Sequence, residues 1–368
     1  MLRPLGEQVV VLTGASSGIG RATAIEFGRR GASVALAARN EEALGSAARA
    51  VEAAGGRALP VVTDVADAAQ VFRLADEAAG RFGRIDTWIN NAAVSEYGTI
   101  EEISLEEIER IVAVNLLGTI YGMKAALPHL RRAGGGAIVN VGSVLSDRAV
   151  PLQSTYCATK HAVKGFTEAV RMELEHERAG VHLTLIQPAV INTPYYNHAR
   201  TRMSVEPRAM FPVYEPSLVA EAILYAAAHP VRDIVAGDGG KVLTVLQRIS
   251  PTLLDRLMLA GGAAFKLQQR DEPARPGDNL FTPMNEAGAT TGEYTHRSTN
   301  FSPFTRHLEP YPNRKRLLLA AAAAGAFALL RRRRPGTDNE AESARPRVEK
   351  ESFELKRGRA RRSLPPRH

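Results

Sequence analysis

A chain of 368 residues, 45% hydrophobic and 23% charged, has the profile of a soluble globular protein and exceeds one average domain without demanding two. Its single cysteine excludes an internal disulfide framework and a cysteine-rich metal site, and fits a reducing compartment. The net charge of +8 is uneven: residues 314–368 hold sixteen Lys or Arg against six Asp or Glu, a net of +10, so residues 1–313 carry −2 and offer no broad basic surface for nucleic acid.

No secretory leader is expected, because the first six residues run directly into an apolar, strand-like segment. From there short apolar runs recur at residues 9–12, 34–36, 59–62, 87–89, 137–141, 183–186 and 234–235. Several are apolar at consecutive positions, as strands covered on both faces must be. Between them lie helical patterns at 41–54, 68–82, 105–130 and 155–177. Strand alternating with helix predicts an α/β fold, a Rossmann-type doubly wound parallel sheet of about seven strands with helices on both faces. Residues 1–240 form that domain. Residues 241–269 read as a helical extension interrupted at Pro251, and 270–313 as an extended arm or linker rich in Pro, Gly, Thr and Asn. Residues 314–334 are a basic-flanked, Ala-rich helix, and 335–368 a charged tail expected to be disordered.

The first chemical signal is Thr13-Gly14-Ala15-Ser16-Ser17-Gly18-Ile19-Gly20, between the first strand and the first helix. Glycines there let backbone approach a pyrophosphate, and the helix N-terminus offers N–H groups and a favourable dipole. The spacing is G-x-x-x-G-x-G, which differs from the general G-x-G-x-x-G fingerprint, and a glycine-rich turn without ligand is the bland alternative. After the second strand stands Ala38-Arg39-Asn40. An NAD site usually places a carboxylate there, whereas an Arg accommodates a 2′-phosphate, so Arg39 favours NADP over NAD; its alternative is a solvated residue before a helix. In Tyr156-Cys157-Ala158-Thr159-Lys160, positions i and i+4 put Tyr156 and Lys160 on one helical face, where an ammonium favours the phenolate. A lone Y-x-x-x-K is more often a surface pair.

Taken together in their order and spacing, Thr13 to Gly20, Asn90-Asn91-Ala92, Asn115, Ser143, Tyr156 and Lys160 resemble the short-chain dehydrogenase/reductase family, in its single-domain branch with a C-terminal extension. The similarity spans about residues 7–240. It implies an NADP(H)-dependent oxidoreductase that interconverts a carbonyl and an alcohol. Tyr156 would be the acid/base, and Lys160 would lower its pKa and hold the nicotinamide ribose. Ser143 would hydrogen-bond the substrate oxygen, and Asn115 would hold a water in a proton relay reaching Lys160. Asp64, followed by Val65, would contact the adenine amino group. Asn91, Ala92, Pro188 and Ile191 would line the cofactor, and Thr193 would bind its carboxamide. The chain departs from the family where Ala93 and Ala189 replace glycines, adding a methyl near the cofactor at each place.

Other residues carry plainer expectations. Cys157 is a packed thiol, since helix geometry turns neighbours apart and no activating base is evident. The nine histidines lack metal-ligand spacing, so no metal is expected, and Trp88 belongs to the core. In the segment after the sixth strand, Tyr195, Tyr196, Met203, Met210, Phe211 and Tyr214 suit an apolar small-molecule substrate, or simply pack the lid. Arg200, Arg202 and Arg208 could equally answer an acidic one. Residues 317–330 would span roughly 21 Å as a helix, short of the ~30 Å hydrocarbon core. With basic flanks, surface attachment to an anionic membrane stands beside a short span and beside an Ala-rich helix with no membrane role. The expected location is cytoplasmic, and a homo-oligomer through helices 105–130 and 155–177 is what the family implies. Two rivals remain: an epimerase or dehydratase of the extended branch, and a non-catalytic dinucleotide sensor or scaffold.

Overall fold

A computed structural model describes residues 2–284 and 286–308, together with 311, 314 and 317. The chain divides into the units Met1–Lys315 and Arg316–His368. Apart from Leu317, the expected Ala-rich helix beyond residue 315 and the charged tail lie outside the described residues.

The seven apolar runs become seven strands: β1 Val9–Thr13, β2 Ser33–Ala38, β3 Arg57–Val62, β4 Thr87–Asn90, β5 Gly136–Val141, β6 Val181–Pro188 and β7 Asp233–Ala236. They form one parallel sheet in the order β3-β2-β1-β4-β5-β6-β7. The helices are α1 Gly18–Gly28, α2 Glu41–Ala53, α3 Ala68–Phe82, α4 Leu105–Arg132 with a π-helical turn at Ala113–Leu117, α5 Ser154–His176 and α6 Pro216–Ala228.

Successive side chains of a strand point to opposite faces, and the core follows that alternation. Val10 and Leu12 of β1 join α1, α2 and α6 in one apolar layer, while Val11 joins α3, α4 and α5 in the other. All five residues of β1 are buried, which is why the run reads as continuously apolar. Trp88 is fully buried, and its indole N–H donates to Asn90 Oδ1 at 2.7 Å. Helix starts are chemically marked: Asn40 accepts from the Ala43 N–H, Asp67 caps α3, and Ser104 with Glu107 closes a capping box on α4.

Among the described residues, Leu105–Arg132 is the one helix long and apolar enough to cross a membrane, and half of its most apolar window is buried inside the domain. Beyond β7 come α7 Asp238–Ile249 and α8 Pro251–Leu259, with the break at Pro251. Residues 269–308 then turn back onto the domain. Strand Gln269–Pro273 pairs with Val205–Pro207, and Ser298–Thr299 lies parallel to Val213–Tyr214. Strand order reverses between β1 and β4, so the crevice at their carboxyl ends is where an open α/β sheet receives a ligand.

Candidate active site

Every loop that carries a candidate residue leaves the carboxyl end of a sheet strand. The β1 turn brings Gly14, Ser16, Ser17, Gly18 and Ile19 to a cavity of about 320 Å3. Arg39 follows β2, Asp64 and Val65 lie just after β3, Asn91 and Ala92 follow β4, Ser143 follows β5, and Pro188, Ile191 and Thr193 come at the end of β6 and beyond; all of these line the same cavity. Tyr156 and Lys160 of α5 complete it.

Thr13, Gly20 and Asn115 shape the cavity from behind. The Thr13 hydroxyl accepts from the Asn91 and Ala92 N–H groups at 3.0 and 3.2 Å, and Asn91 Nδ2 donates to the Thr13 and Gly14 carbonyls. The turns after β1 and β4 are thereby laced together. Gly14 has φ +67° and a Cβ on it would lie 2.8 Å from Ala92 Cα, while a Cβ on Gly20 would fall inside the Gly14 carbonyl oxygen. Only backbone fits there, and bare backbone opening a helix suits a phosphate. Asn115 sits in the π-helical turn. Its amide accepts from the Val94 N–H and donates to the Val94 carbonyl, both at 2.9 Å, and also donates to Thr159 Oγ1 at 3.2 Å.

At the reactive end, Tyr156 is 8% exposed and Lys160 3%. Lys160 Nζ lies 5.6 Å from the Tyr156 ring centroid and donates to the Val141 carbonyl at 2.9 Å. Burial pushes the Tyr156 phenol up to about 12, with the Tyr195 and Ser143 hydroxyls pulling the other way. Burial also pushes the Lys160 ammonium down to about 8. The Ser143 hydroxyl accepts from the Leu145 N–H at 3.1 Å, which fixes its oxygen at the cavity wall. Cys157 is buried, its Sγ 4.0 Å from the Val150 carbonyl, and its thiol is pushed up to about 11 by burial. That is an inert, packed thiol. Among the described residues no three His, Cys, Asp or Glu side chains cluster as metal ligands would.

The two added methyls differ in setting. Ala93 lines the cavity. The Ala189 methyl faces glycines, since a Cβ on Gly237 or Gly240 would come within 2.7 or 3.1 Å of it. Of the residues after β6, Tyr195, Tyr196, Met210 and Arg208 line the cavity. Met203 packs in a small cluster with Tyr97 and Leu152, Tyr214 is core, and Phe211 is 46% exposed. Arg200 and Arg202 both pair with the buried Glu107, so neither is spare for an acidic substrate.

Three features escape sequence reasoning. The Tyr195 ring stands edge-on to Tyr156, centroids 5.8 Å apart, with its buried hydroxyl turned towards the Tyr156 phenol. Asp64 is paired with Arg110 at 2.7 Å. Arg39 donates to main-chain carbonyls of Asn279, Leu280 and Phe281, so the far C-terminal stretch forms part of the cavity wall. Only the position of Tyr195 after β6 could have hinted at its place; the other two depend on tertiary contact.

Comparison with known proteins agrees with this architecture. The short chain dehydrogenase family pattern matches residues 8–204. The chain is 42% identical over 306 residues to the uncharacterized oxidoreductase YxnA of Bacillus subtilis (strain 168), covering 81% of this chain and 85% of that protein. It is 30% identical over 275 residues to the ketoacyl reductase HetN of Nostoc sp., covering 72% and 93%. Among solved structures, a short chain dehydrogenase/reductase from Burkholderia phymatum in complex with NAD is 29% identical, with a TM-score of 0.61 over 67% of this chain and 94% of that one. An alcohol dehydrogenase from Thermococcus sibiricus complexed with 5-hydroxy-NADP is 28% identical, with a TM-score of 0.54 over 61% and 94%. Seven parallel strands, a glycine-rich turn at the switch point, and family likeness across more than half of the chain lead to one assignment: this protein is an oxidoreductase of the short-chain dehydrogenase/reductase family.

Proposed function

We propose that the protein interconverts a carbonyl and an alcohol with NADP(H), using Tyr156 as acid/base on an apolar substrate. The observation that carries this reading is the convergence of Ser143, Tyr156 and Lys160 on the cavity that also holds the glycine-rich turn. When bound, a nicotinamide dinucleotide supplies the hydride to the substrate carbon in reduction and accepts it in oxidation. Tyr156 gives its proton to the substrate oxygen in reduction and takes it back in oxidation. Ser143 donates a hydrogen bond to the same oxygen. Burial disfavours charge on Tyr156 and on Lys160 separately. A phenolate beside an ammonium relieves both, so Lys160 supports the phenolate that forms as the proton leaves. Asn115, its side chain fixed by Val94 and Thr159, would hold the water of a relay towards Lys160.

The backbone from Thr13 to Gly20 would take the pyrophosphate, through N–H groups other than that of Gly18, which donates to the Ala289 carbonyl. Arg39 takes the 2′-phosphate, Asp64 and Val65 take the adenine, Asn91, Ala92, Pro188 and Ile191 form the wall, and Thr193 takes the carboxamide. NADP rather than NAD is supported by the absence of a carboxylate at the end of β2, where Ala38-Arg39-Asn40 stands. Of the two structural relatives, one holds NAD and the other 5-hydroxy-NADP. An apolar substrate is supported by Tyr195, Tyr196, Met210 and Leu243 at the cavity and by the pairing of Arg200 and Arg202 with Glu107. Leu105 and Met172, exposed on α4 and α5, suit association with a second copy. A cytoplasmic enzyme held to an anionic membrane surface by residues 314–334 is supported by the charge of the C-terminal region.

The test is Tyr156→Phe, assayed over a panel of apolar ketones and aldehydes. Turnover should fall by about 10²-fold or more, while NADPH affinity stays within about threefold. Unchanged turnover removes Tyr156 from the reaction.

A further inference from the structure

Residues 278–284 and 286–299 cross the mouth of the cofactor cavity and are fastened at both ends of it. On the adenosine side, Arg39 donates to the carbonyls of Asn279, Leu280 and Phe281. Asn40 Nδ2 donates to the Met284 and Glu286 carbonyls, the latter at 3.1 Å, and Arg110 Nε to the Leu280 carbonyl at 3.0 Å. Over the glycine-rich turn, the first N–H of α1, on Gly18, donates to the Ala289 carbonyl at 2.8 Å. There Gly288, with φ +79°, runs so close that a Cβ would fall inside the Ser16 carbonyl oxygen. On the nicotinamide side, a Cβ on Gly292 would lie 2.5 Å from the Thr193 carbonyl oxygen. The Tyr294 N–H donates to Asn192 Oδ1 at 3.0 Å. The segment is also tied to the substrate side, where His198 Nε2 meets the Glu286 carboxylate at 3.0 Å.

We propose that residues 278–299 are a strap that closes over the bound dinucleotide and must lift for it to enter or leave. The proposal rests on the dinucleotide reading of the cavity and adds what controls exchange. Asn279, Pro283, Met284, Glu286 and Gly288 line the same cavity as Ser16, Arg39 and Asp64. A nucleotide lying from Arg39 to Thr193 therefore has the strap as its outer wall. The fastening over the cavity is polar: hydrogen bonds from Arg39, Asn40, Arg110 and the Gly18 N–H to strap carbonyls and the Arg200–Asp278 and His198–Glu286 pairs, with a two-residue strand pairing only at its far end, Ser298–Thr299, and Leu280 fully buried beneath. Such a segment opens locally at far lower cost than the sheet, whose strands are buried on both faces. A wall that must open before release makes exchange slow relative to binding strength alone.

Stopped-flow fluorescence with NADPH on the full chain tests this, with Gly288→Val and Gly292→Val as strap variants. Each valine forces the strap off the backbone it lies against. NADPH release, followed by chase with excess NADP+, should speed up by about tenfold or more in both variants, and association should also quicken. Release rates equal to the parent's overturn the strap. Should a valine variant fail to fold, hydrogen exchange on the parent decides: amides of residues 278–299 should slow on adding NADPH, and unchanged exchange overturns the proposal. If the parent binds NADPH and NADH not at all, the dinucleotide reading itself falls and the strap with it; binding with unaltered kinetics and exchange sinks the strap alone.

Discussion

Glu96 is 1% exposed, and no ion pair neutralises its carboxylate among the described residues; only hydrogen bonds at the head of α5 offset its burial. It faces the head of α5, where Thr155, the Tyr156 backbone and Cys157 surround it, and burial pushes its carboxyl up to about 7. An acid whose folded pKa is raised binds more protons folded than unfolded between its two pKa values. Stability should therefore fall as pH rises from about 4.5 to about 7, by roughly 3 kcal/mol at the upper limit. Glu96→Gln removes the titration while keeping the shape. In urea titrations it should be more stable than the parent at pH 8 and should flatten the decline between pH 5 and pH 7. An identical pH profile in both proteins means that Glu96 finds a partner in solution. Arg39 poses a question of the same scale, because strap carbonyls draw on a guanidinium that has only five N–H donors to give. If the remaining donors hold a 2′-phosphate, Arg39→Ala should reduce the ratio of NADPH to NADH affinity by about tenfold, read by fluorescence titration. A ratio that does not move assigns Arg39 to the strap alone.

Helix α4 shows how tightly an element can be set on the sheet. Asn90 Nδ2 donates to Asn140 Oδ1 at 2.9 Å, and Asn140 Nδ2 donates to Thr167 Oγ1 at 2.9 Å, so β4, β5 and α5 share one buried polar chain. Gly122 of α4 lies directly over it: a Cβ there would meet Asn90 Oδ1 and stand 2.7 Å from Trp88 Nε1. Gly122→Val should cost about 3 kcal/mol or more, seen as a lower urea midpoint with an unchanged slope; a midpoint equal to the parent's would show that α4 can shift freely. The elements themselves were legible because strands covered on both faces read as unbroken apolar runs, as Val9 to Leu12 do, and because Gly14 and Gly20 sit where only backbone fits. Tyr156 and Lys160 were legible through helical spacing. What could not be read is contact made by backbone or by charge without pattern. The carbonyls of Asn279, Leu280 and Phe281 leave no trace in residue type. Arg200 and Arg202 look like substrate anchors until Glu107 is found between them. Asn115 lies in a helical run that gives no sign of its π-helical turn.

At the scale of the molecule the charge is divided: residues 1–313 carry −2 and residues 314–368 carry +10. Near an anionic bilayer each Lys or Arg contributes about 1 kcal/mol, and that attraction fades beyond a Debye length of about 8 Å at 0.15 M salt. If residues 314–368 meet such a surface, their net charge of +10 would supply the attraction that the proposed attachment needs. The apolar stretch 317–330 adds a second contribution that salt would strengthen rather than weaken. Vesicle sedimentation separates the two. The full chain should pellet with phosphatidylserine-containing vesicles at about 0.1 M salt and be released at about 0.5 M, where screening is severe. A chain ending at Pro312 should stay in the supernatant throughout while binding NADPH as the full chain does. Pelleting that survives high salt, or that occurs on neutral vesicles, would assign attachment to the apolar stretch. A full chain that never pellets removes the membrane from the function of this enzyme.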